Sequence, residues 1–176
     1  MEPDLVNQVA REYRRAKHQP NHPSYQAFIR ETLEQFDTLY HPWEFILVND
    51  EPYADSESMF LDMERKRLRI FTGGRLRPDN PLREPTKYLA AYNSVARHMT
   101  VNEVFRAVHD ILGHGPTQSP FETFLGELQA YQNHSEQYSR EALEALYSET
   151  MGQLCHYWAG FGFVKNQGCK IIPIRF

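Results

Sequence analysis

The sequence predicts a mainly α, α+β fold. It is a single helical domain over 1–176 with a small β-hairpin element and a metal site between its carboxy-terminal helices. Three observations lead there. Apolar residues recur at helical period in the first and last thirds of the chain. A short stretch of strand-forming residues, bounded by turn signals, lies in the middle. The run Val108-His109-Asp110-Ile111-Leu112-Gly113-His114-Gly115-Pro116 sets two imidazoles five residues apart at a predicted helix end, with an acid beside the first and a glycine before the second.

The elements follow in order. Residues 4–17 read as a helix with Leu5, Val6, Val9, Ala10 and Tyr13 on one face. His18-Gln19-Pro20-Asn21-His22-Pro23 breaks it. A second helix over 24–36 places Tyr25, Phe28, Ile29, Leu33 and Phe36 at helical spacing, and His41-Pro42-Trp43 is a turn or loop. Phe45 to Val48 is a strand candidate. Met59–Met63 and Arg67–Phe71 pair as a hairpin around Glu64-Arg65-Lys66, or 56–65 forms a helical turn instead. Thr72–Pro85, with two glycines and three prolines, is loop.

The last third opens on a capping box, Thr100-Val101-Asn102-Glu103, in which hydroxyl and carboxylate each satisfy a free amide. That helix runs to about Leu112 and stops at Gly113. Ser119-Pro120-Phe121-Glu122 reads as a second capping box, with proline at the first helical position, for a helix to about Glu136. A third helix starts after Ser139 and extends toward Phe161, and the tail from Asn166 is extended.

The bulk numbers set bounds. At 176 residues, 41% hydrophobic and 13% aromatic, the chain can bury a sizeable core. A net charge of −4 gives no electrostatic footprint for nucleic acid, so none is expected as a partner. The acidic start Met1-Glu2-Pro3-Asp4 lacks the apolar stretch of a signal peptide, and no segment has the apolar length of a membrane helix. The expected location is therefore cytoplasmic, off the membrane, with Cys155 and Cys169 as free thiols.

Beside each late apolar face runs a polar stripe that packing alone does not require. His109 sits at the edge of the face formed by Val104, Phe105, Val108, Ile111 and Leu112. Glu127 and His134 lie two turns apart on one flank of the next helix, and Glu149, Gln153 and His156 form a row on the last. Facing helices that project histidines and carboxylates inward build metal sites in bundles. Neutral imidazole suits iron, zinc, copper and nickel. Two histidines plus one carboxylate with open positions is the facial arrangement of non-haem iron oxygenases. One geometric condition applies. Residues five apart on a regular helix point about 140° apart, so His109 and His114 share an ion only if the helix ends or distorts between them, and Gly113 offers that end.

The run His109-Asp110-Ile111-Leu112-Gly113-His114-Gly115-Pro116 resembles the iron-binding motif of the aromatic amino acid hydroxylases, His-acid-x-x-Gly-His-x-Pro. Phe121-Glu122-Thr123-Phe124 is similar to the Phe-x-x-Phe stretch that follows the motif there. The resemblance implies that His109 and His114 bind a catalytic iron(II) and that Glu149, in Leu146-Tyr147-Ser148-Glu149-Thr150, completes the triad. The stretch from Phe105 to Asp110, with Gly126-Glu127 and Glu149 to Gln153, also looks like a group of small phage-borne proteins of unassigned function, which implies Glu127, His134 and Gln153 as site members. His109-Asp110 is similar, more weakly, to the His-Asp pair of HD-type phosphohydrolases.

The leading expectation is a non-haem iron(II) oxygenase or hydroxylase acting on a small molecule, with Fe(II) held by His109, His114 and Glu149. Glu127 and His134 orient a ligand or move protons. Asp110 stands behind the ligands as an acceptor or pairs with Arg106. The alternative is a metal-dependent hydrolase in which Zn or Mn lowers the pKa of a bound water and Glu127 is the general base. A third reading is a non-catalytic phage-type protein whose metal staples the fold.

Overall fold

The computed structural model describes residues 3–176; Met1 and Glu2, part of the acidic start, lie outside them. The fold is α+β, helical with a small four-stranded sheet. The described residues divide into two compact units, one of 3–28, 74–81 and 137–176, the other of 29–73 and 82–136.

In the first unit, α1 (Pro3–Arg15) buries Val9, Ala10 and Tyr13 from its apolar face. Leu5 and Val6, expected on that face, are only partly covered. The carboxy-terminal helical run is α6 (Leu143–Tyr147), a π-helical turn (Ser148–Gly152), α7 (Gln153–His156) and a second π turn (Tyr157–Phe161). Ala142, just ahead of this run, and Ala145, Leu146, Tyr147, Met151 and Cys155 within it are fully buried. The extended tail is tied down by backbone bonds from Gln19 N to Cys169 O and from Arg77 N to Gln167 O. Cys155 and Cys169 are free thiols, as expected.

The second unit holds the sheet, in the order β2-β1-β3-β4. α2 (Pro23–Leu39) leads into it, followed by a turn with a cis His41-Pro42 bond. β1 (Glu44–Val48) pairs in parallel with β2 (Arg67–Phe71), from Glu44 opposite Arg67 to Val48 opposite Phe71. Parallel neighbours need a crossover, and α3 (Ser56–Glu64) supplies it, capped by Asp55 accepting from Ser58 N. Of the two readings of 56–65, the helix forms. The hairpin of Met59–Met63 with Arg67–Phe71 does not: Met59, Asp62 and Met63 are buried together, an i, i+3, i+4 pattern that a helix face allows and strand alternation does not.

The sheet's antiparallel pair, β3 (Pro85–Tyr92) and β4 (Val95–Thr100), is not among the elements expected from sequence. Its signal is the dipeptide Asn93-Ser94, both residues at positive φ (48° and 66°), as a two-residue hairpin turn requires. The sheet packs Phe45, Leu47, Leu68, Ile70, Tyr88 and Ala90 into one apolar core with Phe36, Met59, Met99, Val104 and Val108.

α4 (Val101–His109) begins at the expected capping box: Glu103 N donates to Thr100 Oγ1 at 3.3 Å and Thr100 N to Glu103 Oε2 at 2.8 Å. The other expected box does not form. α5 (Phe124–Ser135) is capped by Thr123, whose hydroxyl accepts from Gly126 N. Glu122 instead accepts from Ser56 N and Ser56 Oγ at 2.6 and 2.5 Å. The later start has a steric counterpart, since a Cβ on Gly126 would lie 1.9 Å from the Pro120 carbonyl oxygen.

Candidate metal centre

α4 does not stop at Gly113. It passes at Asp110–His114 into a π-helical turn, closed by the bond from Gly115 N to Asp110 O. A π turn bonds residue i to i+5, so two residues five apart come onto nearly one face. This distortion brings His109 and His114 together, with ring centroids 5.2 Å apart and planes at 82°.

Gly113 therefore works differently from the helix end expected of it. It sits inside the π turn, where a Cβ would lie 2.9 Å from the Ala130 carbonyl oxygen and 3.2 Å from His109 Nδ1. Only a hydrogen leaves room for α5 and the His109 ring. The Gly113 carbonyl accepts from Asn133 Nδ2 at 2.7 Å, and the same amide donates to Thr117 Oγ1 at 2.9 Å. Asn133 thus caps the distorted turn from the neighbouring helix.

α5 presents Glu127 to the two imidazoles. Its Oε2 is 3.7 Å from His114 Nε2 and 4.0 Å from His109 Nε2, and one ligand atom from each residue falls within 4.8 Å of the other two. His114 is buried, and His109 and Glu127 are partly covered. Among the described residues this is the group of three whose atoms could hold a metal ion.

The donor set fits such an ion. His114 Nδ1 lies 2.7 Å from the Ser119 carbonyl oxygen, which can only accept, so Nδ1 carries the proton and Nε2 keeps its lone pair. Burial, with a contribution from His109, lowers the His114 pKa against the opposing pull of Glu127. The ring is therefore held in the neutral form that binds metals. Ligands at about 2.0–2.2 Å from an ion sit roughly 3 Å apart when adjacent, so the three side chains close by about 1 Å around one.

Behind His109 stands His134, 0% exposed on α5. The two Nδ1 atoms are 3.1 Å apart, and His134 Nε2 lies 3.0 Å from Gln35 Oε1. The His134 ring is near parallel to Phe105, at 13° and 6.1 Å between centroids. Burial first, then His109 and His114, pushes the His134 pKa well below the usual histidine value. Asp110, next to His109 in sequence, is pushed up to about 7 by burial and by Glu127, against the opposing pull of His109 and Arg106.

Glu149 is placed in the first unit. Its carboxylate accepts from Tyr25 OH at 2.5 Å, Gln153 Nε2 at 2.7 Å and Gln167 Nε2 at 2.5 Å. The expected row therefore links Glu149 to Gln153 directly, while His156 Nδ1 lies 2.9 Å from the Gly162 carbonyl oxygen. The carboxylate that meets the histidines is Glu127, expected as a base or orienting group. Sequence reasoning missed Gln35 and Ser119. Gln35 lies 99 residues from His134 and bears no local motif, and Ser119 contributes through its backbone, which no side-chain pattern reveals.

No protein-family model, curated protein or solved structure matches the chain. Among the described residues, no helix is long and apolar enough to cross a membrane.

Proposed function

We propose that the protein is a metal-dependent enzyme, best read as a non-haem iron(II) oxygenase or hydroxylase acting on a small molecule. His109 Nε2, His114 Nε2 and a Glu127 oxygen are its ligands. The observation that carries this reading is the π turn at Asp110–His114, which sets two imidazoles side by side with a carboxylate oxygen 3.7 and 4.0 Å away. Two neutral nitrogens and one carboxylate form a donor set suited to Fe(II), with zinc and manganese as competitors. Three protein ligands leave coordination positions open, as a catalytic centre requires and a structural zinc site does not.

Bound iron would supply dioxygen activation. The chain's own residues hold the ligand geometry. Ser119 fixes the ring of His114, Asn133 caps the π turn, and Gly113 keeps α5 close enough for Glu127 to reach. Glu127 thereby takes the ligand role that the resemblance implied for Glu149.

The test is elemental analysis of protein purified without chelator or a metal-binding tag, beside the His109→Ala/His114→Ala variant, followed by dioxygen-uptake assays. Near-stoichiometric iron, absent from the variant, with dioxygen consumed by the loaded wild type, is the expected result. Zinc or manganese retained after anaerobic iron reconstitution has been tried moves the reading to a hydrolase. A folded wild type that takes up no metal overturns the centre itself.

A further inference from the structure

The segment Gln35–His134–His109 is more than a second layer of packing. Three of its four ring nitrogens lie within hydrogen-bond distance of a partner, and the fourth, His109 Nε2, faces Glu127 at 4.0 Å. Gln35 Oε1 is 3.0 Å from His134 Nε2, and His134 Nδ1 is 3.1 Å from His109 Nδ1. His109 Nε2 then opens toward Glu127. A neutral imidazole carries one proton, on one nitrogen or the other. Two Nδ1 atoms in contact require one to donate and the other to accept, so the tautomers of the two rings are locked together. Either both protons lie toward Gln35 or both lie toward Glu127.

We propose that Gln35 and His134 form a hydrogen-bond relay whose polarity decides whether His109 Nε2 offers a lone pair to a metal or a proton to Glu127. With Gln35 accepting through Oε1, His134 carries its proton on Nε2 and accepts at Nδ1 from His109. His109 Nε2 is then bare and ready to ligate. With the Gln35 amide turned over, its NH2 donates to His134 Nε2. His134 Nδ1–H then donates to His109 Nδ1, and the His109 proton sits on Nε2, where it points toward Glu127 and excludes a cation. A glutamine can serve both arrangements because its amide has both a donor and an acceptor. The surroundings make the coupling tight. His134 is 0% exposed and covered by Phe105, so water does not substitute for either partner. Metal binding and Gln35 amide orientation are then linked: an ion at His109 holds the amide with its oxygen toward His134, and locking that orientation favours the ion. Gln35 and His134 are positioning residues and touch no reacting atom.

This inference rests on the metal-centre reading, and its test separates the two. Zn(II) is the probe, titrated against a competing chromophoric chelator. The tautomers of His109 and His134 are read in the metal-free protein by long-range 1H–15N correlation NMR at about pH 8.5, above the usual imidazole range. Gln35→Glu can only accept, so it should hold the His109 proton on Nδ1 and bind zinc at least as tightly as wild type. Gln35→Leu, on the partly covered flank of α2, should weaken zinc about 10–100-fold, the range for losing an outer partner of a ligand. His134→Leu should do at least as much, with circular dichroism confirming that it folds. The relay is overturned if the His109 tautomer is the same in wild type, Gln35→Glu and Gln35→Leu, or if Gln35→Leu binds zinc as wild type does. A wild type that binds no zinc removes the metal reading, while the tautomer measurement still decides whether the relay exists.

Discussion

Two π turns in this chain treat an ionisable group in opposite ways. In Asp110–His114 the distortion turns the Nε2 atoms of two imidazoles toward one carboxylate oxygen, at 4.0 and 3.7 Å. In Ser148–Gly152 it places Glu149, 7% exposed, against three neutral donors, Tyr25 OH and the amides of Gln153 and Gln167. The first arrangement holds a carboxylate oxygen beyond hydrogen-bond distance of either ring nitrogen, a gap that a cation can fill. The second supplies a donor to each lone pair in use, which is what makes a buried carboxylate tolerable without a cation. A π turn by itself therefore marks neither a metal nor a site. The partners facing it decide.

The largest expected effect tests that contrast directly. Glu127→Ala should weaken zinc by more than about 100-fold, since losing a direct ligand exceeds the usual cost of losing an outer partner. Glu149→Gln should leave zinc affinity unchanged. Competition titration of both variants decides the matter. If Glu149→Gln strips the metal and Glu127→Ala does not, the triad implied by the hydroxylase resemblance is right and the contrast between the turns collapses.

Stability should show the reverse order. Glu149→Leu takes the carboxylate acceptor from the Gln153 and Gln167 amides and leaves the Tyr25 phenol with the Lys170 carbonyl alone. It should cost about 1–3 kcal/mol in urea unfolding, the range for leaving a buried neutral donor unsatisfied. Glu127→Ala removes a side chain 24% exposed and should cost less than about 1 kcal/mol in metal-free protein. Equal losses for the two would mean that Glu127 is held by structural partners as Glu149 is.

A smaller effect separates the two glycines of the histidine run. Gly113→Ala forces a Cβ against the Ala130 carbonyl and the His109 ring and should cost about 1–3 kcal/mol, with weaker zinc binding as His109 shifts. Gly115→Ala meets nothing nearer than 3.7 Å at a helical φ of −56°. It should be neutral or stabilise by about 0.4–1 kcal/mol through the unfolded chain. Thermal unfolding and zinc titration of the pair read both effects. An innocuous Gly113→Ala would remove the steric account of the turn.

How much of this was legible in the sequence follows from the range of each interaction. His109 and His114 stand out because one short segment orders both, and the need for a distortion between them follows from 3.6 residues per turn. The form of that distortion does not. Its support comes from Ala130 and Asn133 on another helix, and no local pattern encodes them. The Thr100–Glu103 capping box is local and forms. Ser119–Glu122 has the same pattern, yet Ser56 claims the glutamate. The β3–β4 hairpin was readable at Asn93-Ser94, a turn dipeptide between strand-forming residues. Glu127 and His134 could be placed on one helix flank by spacing. Which of them would meet the histidines as a carboxylate, and which would stand behind His109, depended on how α5 packs against the π turn.

A third carboxylate sharpens the comparison by changing only the charge of the donors. Asp62, 3% exposed, accepts from Arg67, Arg69 and Tyr53 OH, so its partners include two cations where Glu149 has neutral groups. Burial raises its pKa, but the hydrogen bonds and charges of the two arginines outweigh that and hold it below the ordinary aspartate value. The sign of the linkage follows. A depressed folded pKa contributes stability that is complete above the unfolded value of about 3.9 and is lost as pH falls through the folded one. Asp62→Asn should therefore destabilise the protein near neutral pH and flatten the fall in stability below about pH 4. The size should be only about 1 kcal/mol, because the arginine side chains are 34% and 42% exposed and water screens them. Urea midpoints of wild type and Asp62→Asn between about pH 2 and 7 measure it. Parallel curves would mean that the arginines do not stabilise the ionised form, and that a carboxylate here is held by donor count alone, whatever the donors' charge.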